Sequence, residues 1–299
     1  MSSDFQAMLE KATNGAGFLA ALDQSGGSTP KALKQYGFPD DAYVEGEKSM
    51  FDAVHAMRTR IITCKCFNGD RILGAILFED TMDREIEGKP TPQYLWQEKG
   101  VIPFLKVDKG LKDEENGVQL MKPIPGLDAL LARAKSLGVF GTKMRSNINS
   151  ANDEGIKAIV DQQFEVAKQI IAGGLVPIIE PEVNISSPDK AKCEEILKGY
   201  IMEHLNKLGD DDKVMLKLSL PSVDNFYMEC IEHPKCIRVV ALSGGYHRDE
   251  ANEILARNNK MIASFSRALM EGITHGMSDE EYEAAMEKSI STIASASST

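Results

Sequence analysis

The run VMLKLSL at 214–220 sets a lysine, Lys217, inside what otherwise reads as a buried β-strand. A desolvated ammonium is costly, so a lysine facing the interior from such a strand needs a charged partner, a weakened hold on its proton or a chemical task. Snorkelling to the surface is the bland alternative. Polar side chains recur at comparable places, at the ends of other short apolar runs. Asp23 closes the first run, Lys106 and Asp108 sit in the third, and Lys143 and Arg145 close the fourth. Glu180 and Glu182 close the fifth, Ser243, Gly244 and Gly245 follow the seventh, and Ser264, Ser266 and Arg267 close the eighth. Taken singly, each is an ordinary residue of a solvated rim. Taken together, they are the parts of an imine-forming site. Three lysines and one arginine crowded at one mouth repel one another, and repulsion added to burial favours a neutral amine. A neutral amine attacks a ketone, and the protonated imine draws electrons from the neighbouring carbon. Glu180 and Asp23 would supply the acid and base steps. These groups suffice for carbon–carbon cleavage without a metal.

Convergence requires a scaffold that gathers strand ends. Apolar runs at 17–23, 72–80, 101–108, 138–145, 174–182, 213–220, 236–245 and 261–267 alternate with amphipathic stretches such as 126–138, 154–174 and 249–258. Near-continuous apolar runs suit parallel strands covered on both faces. Eight such units predict a (β/α)8 TIM barrel, an α/β fold, with an open doubly wound sheet as runner-up. No GxGxxG follows the first run, which lowers the runner-up. No Pro/Gly/Ser-rich linker divides the chain, so residues 1–299 read as a single domain, with STIASASST as a frayed tail. Ser243 to Gly245 precede a predicted helix, so their N–H groups would face an anion at its entrance, with Arg267 as a bidentate partner.

Composition narrows the rest. The net charge is −11 and no basic stripe is interleaved with aromatics, which argues against nucleic acid. No segment approaches the length of apolar sequence that spans a bilayer, so no membrane association and a cytoplasmic location are expected. Five cysteines and five histidines are scattered, and CKC at 64–66 is one residue short of the usual zinc spacing. Reduced structural thiols, no metal and no cofactor are the expectation. Trp96 lies in a Pro-containing connection at 83–100 that reads as a packed loop or a subunit contact. Homo-oligomerisation stays open.

The segments LAALDQSGGS (19–28), GAILFEDTM (74–82), KVDKG (106–110), TKMR (142–145), GLVPIIEPE (174–182), LKLSLPS (216–222), LSGG (242–245) and SFSRAL (264–269) resemble, in order and over nearly the whole chain, the signature blocks of class I, Schiff-base fructose-1,6-bisphosphate aldolases. The resemblance implies a metal-independent lyase acting on fructose 1,6-bisphosphate in glycolysis and gluconeogenesis, with a sugar phosphate as its small-molecule partner. It implies Lys217 as the Schiff-base lysine and Glu180 as proton donor and acceptor, with Asp23, Lys143 and Glu182 positioning substrate and tuning those two. Lys106 and Arg145 resemble substrate-contacting cations, and Ser243, Gly244, Ser264 and Arg267 resemble the site for the phosphate on carbon 1. The chain carries Gln24 where animal members have a glutamate, Ala32 beside Lys31 where they have an arginine, Ser266 in place of a glycine, and no tyrosine after Tyr282. This pattern resembles a bacterial-type branch. Another ketose phosphate, a transaldolase-like transfer, or a barrel that only binds phosphosugars are the alternatives.

Overall fold

The computed structural model describes residues 3–25, 28–39 and 41–299, so Gly26 and Gly27 of the first signature block lie outside the described residues. Eight strands carry the fold: β1 (Phe18–Leu22), β2 (Ile72–Leu77), β3 (Ile102–Lys106), β4 (Gly141–Ile148), β5 (Val176–Val183), β6 (Val214–Ser219), β7 (Cys236–Leu242) and β8 (Ile262–Phe265). Each pairs in parallel with the next, and β8 returns to β1 through Leu19↔Ser264 and Ala20↔Phe265, closing a barrel. Closure removes the open-sheet alternative.

Helices α1 (Ser3–Asn14), α2 (Ser28–Tyr36), α3 (Lys48–Thr63), α4 (Glu79–Met82), α5 (Thr91–Lys99) and α6 (Leu127–Ser136) precede or connect the first four strands. The second half carries α7 (Asp153–Ala172), α8 (Lys190–Lys207), α9 (Met228–Ile231), α10 (Arg248–Ala256), α11 (Arg267–Met270) and α12 (Asp279–Ala296). No helix among the described residues is long and apolar enough to cross a membrane.

The period-two alternation of a strand decides which residues face the barrel axis. Val214, Leu216 and Leu218 of β6 pack outward in the layer beneath the helices, whereas Met215 joins Leu19, Phe104, Ile178 and Val240 in the interior. Phe104 fills the barrel between two glycines. A Cβ on Gly74 would lie 2.8 Å from its ring, and one on Gly141 would lie 2.9 Å from the ring and 2.3 Å from the Val176 carbonyl. The floor is plugged by α1, whose Met8 and Ala12 enter the interior cluster with Phe5 and Leu9 packed beside them. Arg238 holds that plug, donating to the carbonyls of Ala12, Thr13 and Gly15 at 3.0, 2.6 and 3.0 Å.

Three local expectations change. The fourth strand begins at Gly141 and runs on to Ile148, because Gly138, with φ of 87°, turns the chain out of α6 first. The connection at 83–100 is a short hairpin, Glu85–Ile86 with Lys89–Pro90, followed by α5, and Trp96 packs against the floor cluster. The C-terminal segment is not frayed. Its small residues extend α12 to Ala296, Ser297 Oγ accepts from the buried Ala263 N–H at 3.0 Å, and the Thr299 carbonyl accepts from Lys260 N at 2.8 Å.

Candidate active site

The same alternation that sends Met215 inward sends Lys217 and Ser219 inward, two and four residues on, at the C-terminal end of β6. Inward parity also carries Lys143 and Arg145 from β4, Glu180 and Glu182 from β5, Lys106 from β3, Asp23 beyond β1 and Ser264 from β8. All eleven sequence-nominated residues line one cavity of about 610 Å³ at this end of the barrel: Asp23, Lys106, Lys143, Arg145, Glu180, Glu182, Lys217, Ser243, Gly244, Ser264 and Arg267.

Lys217 Nζ lies 2.9 Å from Glu180 Oε1, and both residues are buried. Lys143 Nζ bridges two carboxylates, 2.7 Å from Asp23 Oδ2 and 2.8 Å from Glu180 Oε2. The second is a charge contact out of hydrogen-bonding alignment, so Glu180 Oε2 keeps acceptor capacity. Lys106 Nζ stands 2.8 Å from Asp108 Oδ1, and Arg145 Nε pairs with Glu182 Oε2. The expected field of mutually repelling cations is therefore replaced by alternation: Lys143, Arg145 and Lys217 each meet a carboxylate of β5, Lys143 also meets Asp23 beyond β1, and Lys106 meets Asp108 two residues along its own segment. Burial alone would raise the Asp23 carboxyl, but Lys143, Lys217 and Lys106 outweigh it and hold it down at about 2. Burial likewise works against the Lys143 charge. Asp23, Glu180 and Asp108 overcome it and hold this ammonium well above the usual lysine range.

The strands make room for these groups. Backbone pairing between β5 and β6 runs through Ile178↔Met215 and Ile179↔Leu216 and, among the described residues, goes no further, although both strands continue. Ser219 replaces the lost rung: its hydroxyl donates to the Val183 carbonyl at 2.6 Å and accepts from the Val183 N–H at 3.0 Å. Glu180 and Lys217 stand in the opening between.

On the far wall, Gly244 takes φ of 62°, and a Cβ there would meet Ile185 at 2.6 Å, so the turn after β7 requires glycine. Ser264 Oγ is buried with no hydrogen-bond partner among the described residues, while Arg267 reaches the cavity from an exposed position. Beyond the Ser243–Gly245 turn, Glu271 Oε2 accepts from the N–H of Arg248, the first residue of α10, at 2.9 Å. An anion here would be met by the Ser243–Gly245 turn, Ser264 and Arg267.

The profile of the family described as "Fructose-bisphosphate aldolase class-I" matches residues 6–225. The chain belongs to the class I fructose-bisphosphate aldolase family. A relative called fructose-bisphosphate aldolase class 1, from Synechocystis sp., is 59% identical over 294 residues, spanning 98% of each chain. A fructose-bisphosphate aldolase structure from Plasmodium falciparum superposes with a TM-score of 0.78 at 20% identity, covering 98% of this chain and 94% of that one. A Corynebacterium glutamicum protein shares the fold more loosely, with a TM-score of 0.53 at 12% identity over 99% of this chain and 97% of that one.

In this aldolase-family chain, sequence reasoning missed Arg58. Its side chain is wholly buried in α3, donating from Nη1 to Thr81 Oγ1 at 2.6 Å and from Nη2 to the Gln24 carbonyl at 2.5 Å. Burial weakens its hold on the proton, to about 10, against the support of Asp23 and Asp80. A signal existed. Arg58 falls four residues after Val54 and three before Ile61, on the apolar face of its helix, where a charge has no business unless it is paired. Gln24 continues this link: its side-chain amide donates to Ser266 Oγ, joining the ends of β1 and β8.

Proposed function

We propose that this chain cleaves D-fructose 1,6-bisphosphate reversibly to dihydroxyacetone phosphate and D-glyceraldehyde 3-phosphate, through an imine on Lys217. The observation that carries the reading is the 2.9 Å contact between Lys217 Nζ and Glu180 Oε1 inside the mouth of the barrel. At that distance a carboxylate takes the proton from the amine as it attacks the ketone at carbon 2, and then protonates the departing hydroxyl as the carbinolamine becomes an imine. Asp23, kept ionised by Lys143, accepts the proton of the carbon 4 hydroxyl. The bond between carbons 3 and 4 then breaks. Its electrons pass into the imine as an enamine, the aldehyde leaves, and protonation at carbon 3 followed by hydrolysis frees the ketose fragment and restores Lys217. Lys143 balances the negative charge shared between Asp23 and Glu180.

The C1 phosphate fits the wall formed by Ser243, Gly244, Ser264 and Arg267, where binding energy remote from the reacting carbons orients the ketone. Lys106, Arg145 and Glu182 contact the sugar chain between the two ends. Neither a metal nor a cofactor enters this scheme, residues 1–299 act as one domain, and a cytoplasmic location suits it. Borohydride added with fructose 1,6-bisphosphate tests the assignment. The expected result is inactivation, with the reduced adduct mapped to Lys217. A label elsewhere, or none, overturns it.

A further inference from the structure

The segment Cys64-Lys65-Cys66 leaves the C-terminal end of α3 in a turn closed by the Phe67 N–H, which donates to the Cys64 carbonyl at 3.1 Å. The turn brings the two sulfurs to 3.1 Å in a thiol–thiol hydrogen bond, about 1 Å beyond a covalent S–S bond. Neither sulfur lines the strand-end cavity. Cys64 is partly exposed and Cys66 is buried.

The surroundings favour a thiolate on the outer member. Hydrogen bonding from Cys66 pulls the Cys64 thiol down to about 7 against the effect of burial, and pushes Cys66 well above the ordinary thiol range. Lys99 of α5 donates to the Thr63 and Cys64 carbonyls at 3.2 and 3.0 Å and lends positive charge. Arg71 faces Cys66 while bound through both arms to Glu287 of α12 at 2.6 and 2.7 Å. Glu283 and Tyr282 of α12 complete the shell, with the exposed Lys65 3.8 Å from Glu283. Cys193, Cys230 and Cys236 differ: burial raises all three.

We propose that Cys64 and Cys66 form a reversible dithiol–disulfide site, with Cys64 the nucleophile towards hydroperoxides and Cys66 the resolving thiol. The Cys64 thiolate attacks the peroxide, its sulfur bonding one oxygen as the O–O bond breaks; this gives a sulfenic acid and an alkoxide or hydroxide, which takes up the proton that Cys64 released. Cys66 then attacks the oxidised sulfur, forming the S–S bond and releasing water with the Cys66 proton. The two sulfurs together lose two electrons and the peroxide gains them. A dithiol such as dithiothreitol reverses the change by exchange. Because both partners lie in one turn, the sulfurs meet with little movement of the chain.

The reduced full-length protein is treated with a small excess of hydrogen peroxide, unfolded, alkylated with iodoacetamide and mapped by mass. The expected peptide carries both Cys64 and Cys66 unalkylated and lighter by two hydrogen atoms, dithiothreitol restores both alkylations, and Cys193, Cys230 and Cys236 stay alkylated throughout. In native protein near neutral pH, Cys64 is expected to react with iodoacetamide about three- to fourfold faster than free cysteine, its larger thiolate fraction being offset in part by lower intrinsic nucleophilicity. In Cys66→Ser, peroxide should leave a Cys64 sulfenic acid that dimedone captures. Full alkylation of both residues after peroxide overturns the proposal. So does a bridge that forms only between molecules.

Discussion

Arg58 donates from Nη2 to the main-chain carbonyl of Gln24 at 2.5 Å, a charge-assisted bond from a wholly buried guanidinium to the residue that follows Asp23. The helix thereby fixes the turn on which Asp23 is carried. Arg58→Met removes the anchor and takes this donor from the Gln24 carbonyl and the other from the buried Thr81 hydroxyl, and is expected to lower unfolding free energy in urea by about 2–4 kcal/mol. Arg58→Lys keeps the charge but cannot reach Thr81 and Gln24 together. It should fold, with kcat/KM for fructose 1,6-bisphosphate reduced about tenfold or more, measured by coupled assay.

The pairing of Asp23 with Lys143 gives a pH signature. Asp23 is held at about 2 when folded, below the roughly 3.9 of an unfolded aspartate, so its contribution to stability is present above about pH 4 and is lost as the pH falls towards 2. Lys143 is held above its ordinary value, so its contribution is complete below about pH 10 and is lost only as strong alkali removes the proton. Urea titrations of wild type and Asp23→Asn should therefore differ by about 2 kcal/mol more at about pH 5 than at about pH 2. A constant difference across that range would show that Asp23 is not held by its cations.

Ser264 separates binding from stability. Its hydroxyl is buried without a partner among the described residues, so Ser264→Ala removes an uncompensated desolvation and should leave unfolding free energy unchanged or raised by up to about 1 kcal/mol. The KM for fructose 1,6-bisphosphate should rise about tenfold if the hydroxyl meets the phosphate. With a ketose lacking the C1 phosphate, wild type and variant should turn over alike.

Ser219 does the opposite. Its hydroxyl serves both the N–H and the carbonyl of Val183 where the ladder between β5 and β6 has ended. Ser219→Ala should cost about 1–3 kcal/mol of stability, read by urea denaturation, because two buried main-chain groups lose their partner. With Glu180 and Lys217 less firmly opposed, borohydride trapping at Lys217 should slow several-fold while KM changes little.

The barrel was legible because near-continuous apolar runs such as GLVPIIEPE and KVMLKLSL occur only where both faces of a strand are covered, and because eight of them recur with helical stretches between. Where local signals competed, the reading slipped. In 138–145 the apolar run includes the turn out of α6, so the strand begins three residues later, at Gly141. STIASASST has the composition of a loose end, yet Ser297 and Thr299 satisfy backbone groups on β8 and in the turn that precedes it, which sequence proximity cannot reveal.

By itself the sequence determined the eight barrel strands and the polar residues that recur at their ends, and hence the identity of the groups that share the barrel mouth, because apolar runs and their ends are local properties of the chain, whereas which parity of each strand faces the axis was decided by the packed barrel. Only the tertiary structure decided the charges each of those groups meets. Lys143 turned out to sit between two carboxylates rather than among repelling cations, Arg58 arrived from a helix more than thirty residues away from Gln24, and Glu271 came to bond the first N–H of α10. Electrostatic fields sum over neighbours in space, and closure of the ring is what chooses those neighbours.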